Sequence, residues 1–203
     1  MYVAIAGNIG SGKTTLTSML AKYFAWSPLY EKLEDNPYIS DFYADMRRWA
    51  FNLQIYFLHK RFANVIEAHK KNKNIIQDRT LYEDAYIFAP NLYSMGLLSD
   101  KDYDTYMSLF NLLISLTPKP DLLIYLKASV PTLVNLIAKR GRIYESSIRL
   151  DYITSLNQRY ETWIENYTDR KLIIDVDELN IIDKPEDFGT VIEKINAEIN
   201  GLF

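Results

Sequence analysis

Apolar residues fall along this chain in two rhythms. Short runs in which nearly every position is apolar occur at Tyr2–Ala6 (YVAIA), Asn74–Asp78 (NIIQD), Asp121–Ala128 (DLLIYLKA) and Lys171–Val176 (KLIIDV), with a weaker one at Ser27–Glu31 (SPLYE). Such runs predict strands buried on both faces, the habit of a parallel sheet. Between them the apolar positions recur at helical spacing. Leu16, Met19, Leu20, Tyr23 and Phe24 predict a helix opening near Gly12–Lys13. One or two broken helices are predicted over Tyr38–Lys71, and others over Tyr82–Tyr93, Asp100–Leu116, Val130–Lys139, Ile148–Tyr167 and Pro185–Asn200. Strands alternating with helices predict an α/β protein: a five-stranded parallel sheet, helices on both faces, right-handed crossovers. The stretch Thr117–Asp121 (TPKPD) reads as a turn into a strand, and no repeat or linker interrupts the pattern. One domain over residues 1–203 is therefore expected.

Composition narrows the function classes. The 26 acidic and 23 basic side chains leave a net charge of −3. That argues against a nucleic-acid or membrane-surface binder, which needs clustered Lys and Arg. There is no cysteine, which excludes disulfides, thiolate catalysis and zinc–sulfur sites. No apolar run approaches the ~18 residues of a membrane span, and Met1 leads into a strand without a signal pattern. A cytoplasmic address is expected, which leaves the sequon at Asn166 without consequence.

The first strand runs into GNIGSGKT, Gly7–Thr14, and then a helix. This satisfies G-x-x-x-x-G-K-[ST], whose mechanism needs that strand–loop–helix context. Glycines let backbone N–H groups turn inward onto phosphate oxygens. Lys13 supplies a cation for the β and γ oxygens, Thr14 a hydroxyl for Mg²⁺, and the helix N-terminus a partial positive charge. Gly7, Asn8, Ile9, Gly10, Ser11, Gly12, Lys13, Thr14 and Thr15 are thus candidates to hold a nucleoside triphosphate, expected to be ATP.

The loop alone does not name a reaction. A GTPase base-reading motif is missing, since NKNI at Asn72 has Ile75 where Asp is required. Asp187-Phe188-Gly189 matches a protein-kinase tripeptide but has no His-Arg-Asp partner, and His59 and His69 make an unconvincing metal pair. Three other places carry chemistry. Glu31 follows the second strand and Asp78-Arg79 the third, at the ends where open parallel sheets bind ligands. Either carboxylate can take a proton, Asp78 can ligand Mg²⁺, and Arg79 can meet an anion. Lys139, Arg140 and Arg142 around Gly141 suit a basic lid clamping phosphates.

Taken in order, these motifs resemble the deoxycytidine/deoxyguanosine kinase family of deoxyribonucleoside kinases, most closely its small bacterial deoxyadenosine/deoxyguanosine branch. The likeness runs over essentially the whole chain. It rests on Gly7-Asn8-Ile9, on Glu31, and on Tyr43, Trp49 and Gln54 in FYADMRRWAFNLQ. It continues through Arg61, Asp78-Arg79-Thr80-x-Tyr82-x-Asp84, and Arg140, Arg142 and Glu145 of the segment at about 139–146. The resemblance implies a P-loop kinase that uses ATP and Mg²⁺ to phosphorylate the 5′-hydroxyl of a deoxyribonucleoside, deoxyadenosine first. Gln54, Arg61 and Asp84 would read the base and Phe88 would stack on it. Tyr43 and Glu145 would hold the 3′-hydroxyl. Arg140 and Arg142 would bind ATP with the phosphate loop. Thr14 and Asp78 would hold the metal, and Glu31 or Asp78 would accept the proton, with Arg79 keeping both ionised. A homodimer through helices around 48–70 and 80–94 is also implied.

The chain departs from the family in lacking Pro after Glu31, which makes Glu34 a rival acid, and in carrying Asp78 where animal relatives have Glu. Two competing readings remain at this point. One is a nucleoside monophosphate kinase of thymidylate-kinase type, using Arg47, Arg48 and Arg61 for an acceptor phosphate. The other is a nucleotide-binding module without turnover.

Overall fold

The computed structural model describes residues 1–31, 35–142, 145, 148–181 and 184–201. Glu34 and lid residues 143, 144 and 146 lie outside the described residues. The elements run β1 (Tyr2–Gly7), α1 (Lys13–Phe24), β2 (Ser27–Leu29), α2 (Ile39–Ala44), α3 (Met46–Lys70) and β3 (Ile75–Asp78). They continue with α4 (Leu81–Glu83), a π-helical turn (Asp84–Phe88), α5 (Ala89–Ser94), α6 (Asp100–Ser115), β4 (Leu122–Lys127), α7 (Val130–Arg140), α8 (Leu150–Glu165), β5 (Lys171–Asp175) and α9 (Pro185–Asn200). The expected five strands form one sheet, ordered β2-β3-β1-β4-β5, with every neighbouring pair parallel.

Two-residue alternation sends β1 into both layers of the core. Tyr2, Ala4 and Ala6 face a cluster with Leu123, Tyr125, Leu58, Phe110 and Leu156. Val3 and Ile5 face the other side, with Leu122, Ile124, Leu126, Leu16, Leu20 and Val191. Each fully buried aliphatic side chain contributes roughly 1.5–3 kcal/mol. The helix after β1 thus packs on one face and the helices after β3 on the other. A crevice opens between the carboxyl ends of β1 and β3, where this topology binds ligands.

Two local features of the helices matter to the site, the first an expected break and the second a departure from the predicted periodicity. The helical stretch after Tyr38 breaks at Asp45, whose side chain accepts from the Arg48 N–H (3.1 Å) and caps α3. The helix after β3 is not continuous α: five residues from Asp84 to Phe88 widen into a π turn, a device often found at functional sites.

Candidate active site

The phosphate loop is shaped by glycine and bolted to distant helices. Gly7 has φ +153°, and a Cβ there would meet Ser11 Oγ at 2.6 Å. Gly10 has φ +88° and presses on α7, where a Cβ would come within 2.7 Å of Ile137. Asn8 is buried and donates its Nδ2 to Ile153 O and Asn157 Oδ1, each 3.1 Å away on α8, while its Oδ1 accepts from the Ile9 N–H (2.8 Å). The Lys13 ammonium donates to Asn8 O (2.8 Å). Burial, and then the nearby Arg79, pulls Lys13 down to about 7, against the fields of Asp78, Glu83 and Glu31. A nucleotide's phosphates would restore its charge.

Thr14 donates its hydroxyl to Asp78 Oδ2 at 2.6 Å, joining the loop helix to the end of β3. Burial, reinforced by Glu31, pushes the Asp78 carboxyl up even though Lys13 pulls the other way. Its Oδ1 is buried with no hydrogen-bond partner among the described residues. A hydroxyl beside a carboxylate oxygen with free lone pairs is a hard-oxygen set of the kind Mg²⁺ takes.

Glu31 sits between two arginines. Its carboxylate pairs with Arg61 and lies 3.5 Å from Arg79 Nε. Burial acts to raise it, but Arg61, Arg79 and Lys13 together outweigh burial and hold the carboxyl below its ordinary value. Arg61 also clasps Asp84 with its other amino group. Burial pushes Asp84 up to about 7, opposed by Arg61. Each guanidinium lies over a ring, Arg61 above Phe57 (4.7 Å) and Arg79 above Phe88 (4.5 Å). The π turn places Asp84 and Phe88 at its two ends, and both line the cleft.

Those side chains line one cleft that opens to solvent. Lys13, Thr14, Glu31, Asp78 and Arg79 meet there with Gln54, whose Oε1 is buried and partnerless among the described residues. Tyr43, Arg140, Arg142 and Glu145 complete it. Glu145 accepts from Arg140 Nε (3.0 Å) and lies 3.5 Å from Arg142 Nη1.

Most of the expected site residues are therefore brought together in one cleft. Arg79 neighbours Glu31 and helps hold it low, whereas burial raises Asp78 against the pull of Lys13, Thr14 and Arg79. Gly7, Asn8, Ser11, Gly12 and Thr15 do not line that cleft, while Ile9, Gly10, Lys13 and Thr14 of the same stretch do. Trp49 stands outside too, stacked under Arg48 (4.5 Å) and against Tyr38. Sequence reasoning missed the apolar walls Ile39, Phe42, Leu53, Phe57 and Tyr152, since an apolar residue that lines a cleft looks like one that fills a core. It also missed Glu83 and Tyr160. Thr80-x-x-Glu83 did carry a legible signal, the capping-box spacing at a helix start.

Comparison with known proteins agrees with this geometry. A family model described as deoxynucleoside kinase matches residues 3–200. The deoxyadenosine/deoxycytidine kinase of Bacillus subtilis (strain 168) is 34% identical over 201 residues, covering 98% of this chain and 93% of the relative. A deoxyguanosine kinase of Lactobacillus acidophilus is 36% identical over 203 residues, covering 95% of this chain and 88% of its own. Among solved structures, deoxyadenosine kinase from M. mycoides with bound dATP superposes with a TM-score of 0.84 at 31% identity, over 97% of this chain and 100% of that one. Its form with products dCMP and a flexible dCDP gives 0.87 at 32%, with the same coverage of both chains.

Proposed function

This chain belongs to the deoxynucleoside kinase family and is an enzyme that phosphorylates a deoxynucleoside, and on that premise we propose that it transfers the γ-phosphoryl of ATP to the 5′-hydroxyl of deoxyadenosine. The observation that carries this reading is the meeting of two sets of residues in one cleft. Lys13 and Thr14 of the phosphate loop line it together with Gln54, Arg61 and Asp84, a polar set suited to a base edge. Relatives named for deoxyadenosine, deoxyguanosine and deoxycytidine surround the chain, so the choice of deoxyadenosine is ours.

Phosphoryl transfer asks the protein for alignment and charge, with little covalent help. Lys13, Arg140 and Arg142 take the transferring group, with the basic segment at about 139–146 acting as lid. Thr14 and Asp78 fit Mg²⁺ and would hold it; when bound, it neutralises charge between the β- and γ-phosphates. We assign the proton acceptor to Glu31. Asp78 has one oxygen engaged by Thr14 on the donor side, whereas Glu31 stands on the acceptor side and is held ionised by two guanidiniums. A loose transition state leaves most of the proton on the hydroxyl until late, so a carboxylate that is always ionised serves. Gln54 offers a paired donor and acceptor to a base edge, with Arg61 and Asp84 reading other base atoms. Phe88 stacks on the base, and Tyr43 and Glu145 hold the 3′-hydroxyl.

The monophosphate-kinase alternative loses its support, because Arg47 and Arg48 are exposed and Arg61 is already claimed by two carboxylates. Among the described residues no helix is long and apolar enough to cross a membrane. We take the enzyme to act in the cytoplasm as a homodimer, which light scattering at twice the chain mass would support. A panel of deoxynucleosides and their monophosphates at fixed ATP tests the function. The highest kcat/KM should fall on deoxyadenosine, and a maximum on any monophosphate would overturn the reading.

A further inference from the structure

Glu83 lies just behind the cleft and is completely buried. Its role as a helix cap occupies one oxygen: Oε2 accepts from the Thr80 N–H (2.7 Å) and hydroxyl (3.3 Å). The other oxygen does something a cap does not require. Oε1 accepts from the N–H of Gly7 (3.2 Å), the first residue of the phosphate loop, and from the hydroxyl of Tyr160 on α8 (2.8 Å). That hydroxyl in turn accepts from Arg79 Nη1 (2.7 Å), which itself lies 3.5 Å from Glu83 Oε1. Arg79 needs such restraint. Its φ is +68°, a left-handed conformation that disfavours a side chain with a Cβ, and its N–H is tied to Ile5 O (2.9 Å).

We propose that Glu83 and Tyr160 are a positioning pair, holding the Arg79 guanidinium against Glu31 while Glu83 fixes the first amide of the phosphate loop. One buried carboxylate thereby sets the acceptor side and the donor side in register. Neither residue lines the cleft, so neither is expected to bind nucleoside or ATP directly. The pair acts on alignment, which appears in kcat. The inference rests on the assignment of Arg79 and Glu31 to the acceptor side.

Tyr160→Phe is the deciding variant, because it removes one oxygen from a ring that stays packed against Tyr125 and Trp163. The expected result is a kcat lower by about 10- to 100-fold, the worth of one hydrogen bond to a charged group, with both KM values within about threefold of wild type. In an Arg79→Lys background, which already lacks the guanidinium, the same change should have almost no further effect on kcat. Glu83→Gln should show the same division between kcat and KM; if it fails to fold, Tyr160→Phe still decides. A wild-type kcat in Tyr160→Phe, a loss fully additive with Arg79→Lys, or a loss confined to KM would overturn the proposal. If Arg79→Lys alone keeps wild-type turnover, the assignment of Arg79 falls first and this inference with it.

Discussion

The hydroxyl of Thr14 and the carboxylate of Asp78 meet at 2.6 Å across the crevice between β1 and β3. The contact joins the first turn of α1 to the carboxyl end of β3, and both residues line the cleft. It also leaves Asp78 Oδ1 buried and unsatisfied among the described residues.

A divalent cation is the natural partner for that oxygen. Asp78→Asn keeps the shape and the contact with Thr14 but removes the charge. The Mg²⁺ concentration giving half-maximal rate should rise by at least about tenfold, with maximal turnover also reduced. Rate measured against Mg²⁺ concentration at saturating substrates checks this, and an unchanged curve would remove Asp78 from the metal site.

Glu31 is held below the ordinary carboxylate value of about 4.3, so it is ionised throughout the neutral range. Glu31→Gln should lower kcat by roughly 10²–10⁴, the range for a lost general base. Near-normal turnover would transfer the role elsewhere. Stability carries a second signature with a definite sign. A carboxyl depressed by folding stabilises the protein above its unfolded value, and that contribution fades as pH falls through the folded value. The stability gap between wild type and Glu31→Gln should therefore be full at pH 7 and shrink on acidification below about pH 4. Urea unfolding at the two pH values measures it; a gap that does not shrink would mean Glu31 is not held low by Arg61 and Arg79.

Arg61 serves Asp84 and Glu31 together, and both Arg61 and Asp84 are buried. Asp84→Ala leaves a buried guanidinium short of one counter-charge, a change that typically costs about 3–5 kcal/mol. The unfolding midpoint in urea should drop accordingly, and deoxynucleoside KM should rise with it. A variant as stable as wild type would mean that solvent reaches Arg61 and that the pair does not frame the base pocket.

Much of this protein was legible before any coordinates. Apolar runs located β1, β3 and β4, because a strand buried on both faces must be apolar at nearly every position, and they also caught the edge strands β2 and β5, which are only partly buried. GNIGSGKT was readable as a phosphate-loop motif from local order alone, since strand, glycine turn and helix are consecutive in the chain. The positions of Glu31 and Asp78 followed from strand ends, and that of Asp84 from the resemblance to the kinase family. Tertiary structure decided who pairs with whom. That Arg61 is shared by Glu31 and Asp84, or that Tyr160 reaches Glu83 from 77 residues away, depends on how α3 and α8 settle on the sheet. Periodicity reports which face of a helix is buried, but not which buried neighbour it meets. Burial likewise turned two similar acids into different groups, raising Asp78 while two guanidiniums hold Glu31 low. Electrostatics of that kind arises from the surroundings of a side chain, which exist only once the chain has folded.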